Sequence, residues 1–146
     1  MKKNLLLLLT SFVMACIGAG CSDDEYGFKI LDDKIVYSDG YVVKYSPRDI
    51  KDYPDFLHVE AIEAAEDGGM LGSFIWTGIL DGKRHYGAHS MICSQLYGYI
   101  YTEDGEYVQT TGWEKWTDVE VIYIDPKYIE YCRKNKTPLR LTIPRD

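Results

Sequence analysis

The chain has 146 residues, 46% of them hydrophobic, and carries 23 acidic against 16 basic side chains. That length accommodates one domain, and the net charge of −7 disfavours binding to nucleic acid or to an anionic lipid surface. Three histidines provide few ordinary ligands for a metal ion. The composition therefore predicts a single acidic domain with no cofactor, no metal and no nucleic-acid partner.

Residues 1–20 have the composition of an export signal. Lys2 and Lys3 precede an apolar run of about thirteen residues, which ends at Gly18. The run is too short to cross a hydrocarbon core about 30 Å thick, and glycines end a helix where a membrane span would have to continue. The alternative is a single membrane-anchoring helix. Removal of this segment takes two lysines with it, which changes the net charge from −7 to −9.

Cys21 is the predicted lipidation site. The sequence Gly18-Ala19-Gly20-Cys21 resembles the lipobox of bacterial lipoproteins, in which the cysteine becomes the acylated N-terminus. Cys16 is a competing site, but it lacks the Ser22-Asp23-Asp24-Glu25 that follows Cys21 and is similar to the acidic export tag of Bacteroidota surface lipoproteins. Two or more acyl chains such as palmitate hold a protein stably on a membrane. The resemblance implies an outer-membrane, cell-surface location, with residues 21–27 as lipidated cysteine and acidic tether.

The first part of the mature chain predicts a hairpin followed by a helix. Residues 34–37 and 41–45 are rich in β-formers and flank the turn Ser38-Asp39-Gly40. Ser46-Pro47 is typical of a helix start, which Pro54 interrupts after about one turn. Residues 54–66 carry apolar side chains at helical spacing, and the following Asp67-Gly68-Gly69 ends this main helix.

The second part predicts further hairpins and a short helix. The predicted strands are residues 73–80 with 83–86, residues 97–101 with 106–108, and residues 119–124. Asp125-Pro126 begins the short helix, and residues 139–143 alternate like a strand that Pro138 and Pro144 confine to an edge or tail. The fold class predicted for residues 28–146 is α+β, a single domain with an antiparallel sheet meander of about 5–7 strands and one main helix packed on it.

Cys93 and Cys132 are the two cysteines left after the leader and the lipidation site. Two thiols outside the cytoplasm predict one disulfide. The bridge would close a loop of about 40 residues, which contributes about 4 kcal/mol on the chain-entropy model. The alternative is a pair of buried or half-buried free thiols.

Few combinations of residues indicate catalysis. His85, His89 and Cys93 have the four-residue spacing of metal ligands on a helix, but the residues around them predict a strand. A free Cys93 beside a histidine, or a carboxylate beside His58, His85 or His89, would make a small hydrolase. This enzyme is the alternative function. The favoured prediction has no catalytic residue.

Aromatic residues are the unusual feature of the mature chain. All 13 tyrosines and three tryptophans follow the leader. Tyr97, Tyr99 and Tyr101 alternate, which predicts one shared strand face, with Tyr107 on the partner strand. Trp113 and Trp116 lie in a polar segment predicted to be a loop. These six residues are candidates for contact with a ligand, and the alternative is that they form the core side of a small sheet.

Residues 53–109 resemble an uncharacterised group of small Bacteroidota lipoproteins. The likeness rests on four segments: Tyr53-Pro54-Asp55-Phe56-Leu57, Asp81-Gly82-Lys83-Arg84-His85-Tyr86, Cys93, and Tyr101-Thr102-Glu103-Asp104-Gly105. The group has no agreed activity, so the resemblance implies no functional residue. The predicted function is a non-catalytic, lipid-anchored module that binds a protein, peptide or glycan through aromatic side chains.

Overall fold

The computed structural model describes residues 27–58, 74–89 and 97–145. The secondary structure of these ranges consists of strands, two α-helices and a 3-10 turn at Ile50–Asp52. In chain order the strands are β1 Phe28–Ile30, β2 Lys34–Tyr37, β3 Val42–Lys44, β4 Phe74–Leu80, β5 Lys83–His89, β6 Tyr99–Thr102, β7 Tyr107–Val108 and β8 Thr117–Ile124. The helices are α1 Asp55–His58 and α2 Pro126–Asn135. None of the helices in these ranges is long and apolar enough to cross a membrane.

Strands β1, β2 and β3 form an antiparallel three-stranded sheet in that order. Ile35 in its centre pairs with Ile30 on one side and Val43 on the other, and its side chain is fully buried. The predicted hairpin β2–β3 is confirmed, and its turn uses Gly40 at a φ of 87°. Strand β1 was not predicted, because three residues are too few to show a β alternation.

The second sheet is antiparallel with the order β7-β6-β5-β4-β8. Strands β4 to β7 form a meander, and β8 returns to pair with the free side of β4. Both predicted hairpins are confirmed. Asp81 and Gly82 join β4 to β5 with φ angles of 51° and 75°, as a two-residue type I′ turn requires. Gly105, with a φ of 83°, serves the turn between β6 and β7.

The two sheets join where the residues that follow β3 contact β8. Tyr45 forms a parallel bridge with Val121, and the Ser46 amide then donates to the Val121 carbonyl at 2.9 Å. Next to this bridge the Lys44 ammonium lies 3.1 Å from the Asp118 carboxylate. Tyr45 and Ser46, which follow β3, therefore run along the outer side of β8.

The core has two layers, one on each face of the five-stranded sheet, because side chains alternate along β4. Phe74 and Trp76 point towards the three-stranded sheet, α2 and the C-terminal tail. Ile75 points to the other face, where Tyr53 and Leu57 cover it. The two antiparallel sheets and the helices confirm the α+β class and its sheet meander.

Helix α2 is the longest helix of the described ranges. The Asp125 carboxylate accepts from the Lys127 amide at 2.9 Å, Pro126 occupies the first turn, and Lys136 ends the helix at a left-handed φ of 52°. This confirms the short helix predicted after Asp125-Pro126. The predicted main helix over residues 54–66 is seen only as α1, since its remainder lies outside the described residues.

The predicted strand at residues 139–143 does not form, and the segment is an unpaired tail. Leu139 and Ile143 are nevertheless buried in the first core layer. The Arg140 amide donates to the Tyr128 hydroxyl at 3.1 Å, which fastens the tail to α2. The apolar alternation there reflects packing against the core, and the flanking prolines prevent regular pairing.

Candidate functional site

Three tyrosines form a row across β5, β6 and β7. The register places Tyr86 opposite Tyr101 and Tyr101 opposite Tyr107. Residues directly opposite in antiparallel strands share one face of the sheet, with Cβ atoms about 5 Å apart. The ring centroids of Tyr101 and Tyr107 lie 6.2 Å apart at 69°, an edge-to-face contact that favours the pair beyond simple burial.

Two further rings extend this row. Tyr99 lies 6.3 Å from the Tyr107 ring, and Phe56 of α1 lies 5.5 Å from Tyr101 and 6.4 Å from Tyr86. We call Phe56, Tyr86, Tyr99, Tyr101 and Tyr107 the tyrosine surface. Its inner rings are half-buried, whereas Tyr99 is 40% and Tyr107 52% exposed. The side chain of Phe56 therefore packs on the inner part, and the outer part faces solvent.

The strands that carry the outer tyrosines have no positive charge. Residues 97–109 contain no lysine, arginine or histidine. Their three charged residues, Glu103, Asp104 and Glu106, are exposed in and beside the turn between β6 and β7. The part of the tyrosine surface on β6 and β7 thus has an acidic end and no basic side chain, which favours a neutral or basic ligand there.

Tyr97 does not share the face of Tyr99 and Tyr101, so this part of the prediction is wrong. Its ring makes an edge-to-face contact with Trp76 at 6.4 Å, and its carbonyl accepts from the Trp76 indole at 2.9 Å. Strict alternation applies only inside a strand, and β6 begins after Tyr97. Gly98, at a φ of 85°, makes the change of face possible.

Trp116 was predicted to contact a ligand from a loop, and this is also wrong. The residue is 3% exposed and belongs to the core. Its ring contacts Trp76 at 5.0 Å and His85 at 5.8 Å, both edge-to-face. Trp76 and Thr77 alternate on β4, and Thr77 is opposite Tyr86. Trp116 therefore lies on the other face of the sheet from the tyrosine surface. Its polar sequence neighbours conceal this packing.

Trp113 is exposed as predicted, with 90% of its surface accessible. The Glu114 carboxylate organises its loop, since it accepts from the Thr111 amide at 2.5 Å and from the Gly112 amide at 2.9 Å. Desolvation opposes ionisation of Glu114, but these hydrogen bonds outweigh it and lower the pKa of the carboxyl group. The loop thus presents the Trp113 indole to solvent.

Of the two cysteines in the predicted disulfide, Cys132 lies in the described ranges. Its thiol is buried and forms no disulfide with a described residue, its Sγ lies 3.8 Å from the Pro138 carbonyl, and burial raises its pKa. A raised pKa reduces the thiolate fraction that a nucleophile needs. Cys93 lies outside the described residues, so both its disulfide and its catalytic alternative stay predictions.

The two described imidazoles make structural contacts. The Nδ1 atom of His85 lies 3.0 Å from the Lys83 carbonyl. His89 stacks on Phe74 at 4.9 Å, and burial lowers its pKa. The side chain of His58 is outside the described part. In the described ranges no cluster of three or more His, Cys, Asp or Glu side chains could hold a metal ion.

Among the described residues the buried carboxylates are Asp125 and Glu120, and each has a structural partner. Asp125 caps α2. Glu120 accepts from the Ser46 hydroxyl at 2.8 Å and lies 3.6 Å from the Lys44 ammonium and 3.7 Å from the Arg48 guanidinium. These contacts connect β8 to Lys44 at the end of β3 and to Ser46 and Arg48 after it. Glu120 therefore helps to join the two sheets.

A groove of about 530 Å³ opens between β3, β8 and the tail. Lys44 and Asp118 line it, and Arg84 adds a hydrogen bond to Asp118 at 3.0 Å. The hydrogen bonds from Arg84 and then Lys44 lower the pKa of Asp118. Asp118 is thus paired with two cations, and Asp33, Lys34 and Arg145 also line the groove.

Comparison with known proteins identifies no relative of this chain. No family model, no curated protein and no solved structure matches it. The resemblance to small Bacteroidota lipoproteins therefore stays a prediction. Inference about function rests on the residues and their geometry.

Proposed function

We propose that this protein is a non-catalytic, lipid-anchored lipoprotein of the cell surface that binds a protein, peptide or glycan through the tyrosine surface. The observation that supports the proposal is the contact of Tyr99, Tyr101 and Tyr107 across two paired strands, with the outer two rings open to solvent. Tyrosine rings offer a large contact area and a hydroxyl group with few rotatable bonds. Rings held in mutual contact lose little further entropy when a ligand binds.

The anchoring half of the proposal rests on residues 1–27. The resemblance of Gly18–Cys21 to a lipobox and of Ser22–Glu25 to an export tag supports acylation at Cys21. An acidic tether does not enter a bilayer, because charged groups are costly to bury there. A short tether next to β1 would hold the domain near the membrane surface.

Cys21→Ala is expected to abolish labelling by palmitate and to release the protein from the membrane fraction. Without the acylated cysteine, no two-chain anchor remains. The measurement is metabolic labelling together with fractionation of expressing cells. Cys16→Ala is the control and should keep both properties. A Cys21→Ala protein that remains membrane-bound would contradict the proposed anchor.

Tyr99→Ser combined with Tyr107→Ser is expected to weaken ligand binding at least tenfold. Loss of the two solvent-facing tyrosine rings removes aromatic contacts of the kind that usually dominate an interface. Binding to immobilised peptide and glycan panels would be compared with that of Tyr131→Ser, a matched control on α2 that is 41% exposed. Thermal stability should change little in all variants, since these rings are partly exposed.

A Trp113→Ala variant tests whether the ligand binds at the tyrosine surface or at the Trp113 loop. The exposed Trp113 indole on an organised loop is a second aromatic contact available to a ligand. If Trp113→Ala abolishes binding and the tyrosine double variant binds normally, the loop is the site. Equal binding by the double variant and the unaltered protein would also reject the tyrosine surface.

A further inference from the structure

The tyrosine surface ends at the edge strand β7. In the described part of the chain β7 pairs with β6 on one side and has no strand on its other side. Natural edge strands are usually protected by being very short, by charged side chains such as lysine, by proline or by a bulge. Residues 106–110, Glu-Tyr-Val-Gln-Thr, contain no lysine or proline, and the pairing of β7 with β6 is regular. β7 is only two residues long, but it has no lysine, proline or bulge that would block an added strand.

The backbone amide and carbonyl of Tyr107 point away from β6. The Thr102 amide donates to the Glu106 carbonyl at 2.9 Å, so Glu106 uses its carbonyl towards β6. Successive residues of an antiparallel strand direct their backbone groups alternately towards the partner and away from it. Val108 therefore also faces β6, whereas Tyr107 directs its amide and carbonyl outward. Gln109 follows β7 and would direct its amide outward where an added strand extends the alternation to it.

The side-chain row favours a particular residue in an added strand. The row Tyr86–Tyr101–Tyr107 runs across three strands in register and stops at the edge. A residue placed opposite Tyr107 would have its Cβ about 5 Å away on the same face. Aromatic and β-branched side chains make the favourable cross-strand pairs with tyrosine.

The charge at this edge selects a basic partner. Glu103, Asp104 and Glu106 are exposed at the start of β7, and residues 97–109 contain no basic side chain to balance them. A basic segment would meet opposite charge along the edge. A second copy of this chain would bring the same three carboxylates to the edge, which disfavours pairing of β7 with itself.

We propose that β7 takes up a basic, extended peptide segment as an added strand. Tyr107 and Gln109 supply the backbone hydrogen bonds, and the tyrosine surface receives an aromatic or β-branched side chain of the segment. This mode of recognition combines main-chain affinity with side-chain selection at alternate positions. The inference rests on the proposed function and names the ligand class of the same site.

The test uses a capped heptapeptide, Lys-Val-Lys-Tyr-Lys-Val-Lys, and the full-length protein. Two isomers carry three backbone N-methyl groups each, one on the Val and Tyr nitrogens and the other on Lys nitrogens. In an added strand only alternate amides face β7. One isomer should therefore bind at least tenfold more weakly than the parent peptide, and the other within about threefold of it. Titration calorimetry measures all three.

Two pairs of protein variants complete the test. Gln109→Pro removes a backbone amide at an edge position where proline is tolerated. This variant should bind the heptapeptide at least tenfold more weakly. Its control, Gln109→Ala, should change the affinity less than twofold. Glu106→Lys should weaken binding at least fivefold. Its control is Glu130→Lys, the same charge reversal at an exposed position of α2.

Three outcomes would overturn the inference: no binding of the heptapeptide, equal binding of the two N-methylated isomers, or self-association of the chain that Gln109→Pro abolishes. The proposed function fails separately. If the tyrosine double variant loses a panel ligand that Gln109→Pro still binds, the tyrosine surface is correct and the added strand is wrong. If the double variant keeps every panel ligand, the proposed function itself is wrong.

Discussion

Replacing Trp76 with alanine is expected to lower the free energy of unfolding by about 3–5 kcal/mol. The indole is fully buried and packs edge-to-face on Trp116 at 5.0 Å. Its N–H donates to the Tyr97 carbonyl at 2.9 Å. Truncation leaves a cavity between the two sheets and removes the hydrogen bond of a partly buried carbonyl, and both effects destabilise the folded state.

Trp113→Ala is the matched control for this prediction. It makes the same chemical change at a side chain that is 90% exposed, so it should alter stability by no more than about 0.5 kcal/mol. Urea unfolding followed by far-UV circular dichroism measures both variants without depending on tryptophan fluorescence. Similar losses of stability in the two variants would mean that Trp76 does not occupy the centre of the core.

Gly98→Ala is expected to have the second large effect, a loss of about 2–5 kcal/mol. The residue has a φ of 85°, and a left-handed conformation costs an L-residue about 1–2 kcal/mol. In addition, a Cβ there would lie 2.2 Å from the carbonyl oxygen of Ala88. Relief of this clash requires β5 and β6 to separate, and such overpacking costs about 1–3 kcal/mol.

Gly40→Ala separates these two contributions. Gly40 has a similar φ of 87°, but a Cβ added there meets nothing within 4 Å. Its replacement should therefore cost only the conformational part, about 1–2 kcal/mol. The same urea unfolding experiment compares the two variants. If both lose the same stability, the close approach of Gly98 to β5 does not exist in solution.

Gly98 also links stability to the candidate site. It separates Tyr97, which packs on Trp76, from Tyr99, which joins the tyrosine surface. A variant that moves β6 away from β5 would disturb the register of Tyr86 with Tyr101. Loss of ligand binding in Gly98→Ala is therefore no evidence that Gly98 touches the ligand.

The hairpins could be predicted from the sequence because the residues that form each turn are adjacent in the chain. Asp81-Gly82 between two β-rich segments requires a tight turn, since few other residue pairs accept two positive φ angles. The cap and proline at Asp125-Pro126 predicted α2 in the same way. The pairing of β8 with β4 joins segments far apart in the sequence, and no local pattern indicates it.

The candidate site was predicted in part. Alternation placed Tyr99 and Tyr101 on one face, with Tyr107 beside them, because strand geometry has a period of two residues. The same pattern wrongly included Tyr97, since it cannot show where a strand begins. Phe56 and Tyr86 were not predicted to belong to the site, because α1 and β5 reach it only through tertiary packing.

The amino-acid sequence by itself determined the elements whose signals span a few residues: the turns, the cap of α2 and the alternation within β6. It also carries the predicted address, through the residues around Cys21. Only the tertiary structure decided which aromatic side chains are buried. Trp113 and Trp116 lie three residues apart in the same polar loop, yet one is exposed and the other contacts Trp76. Burial depends on which distant surface a side chain meets, and that surface exists only after the chain has folded.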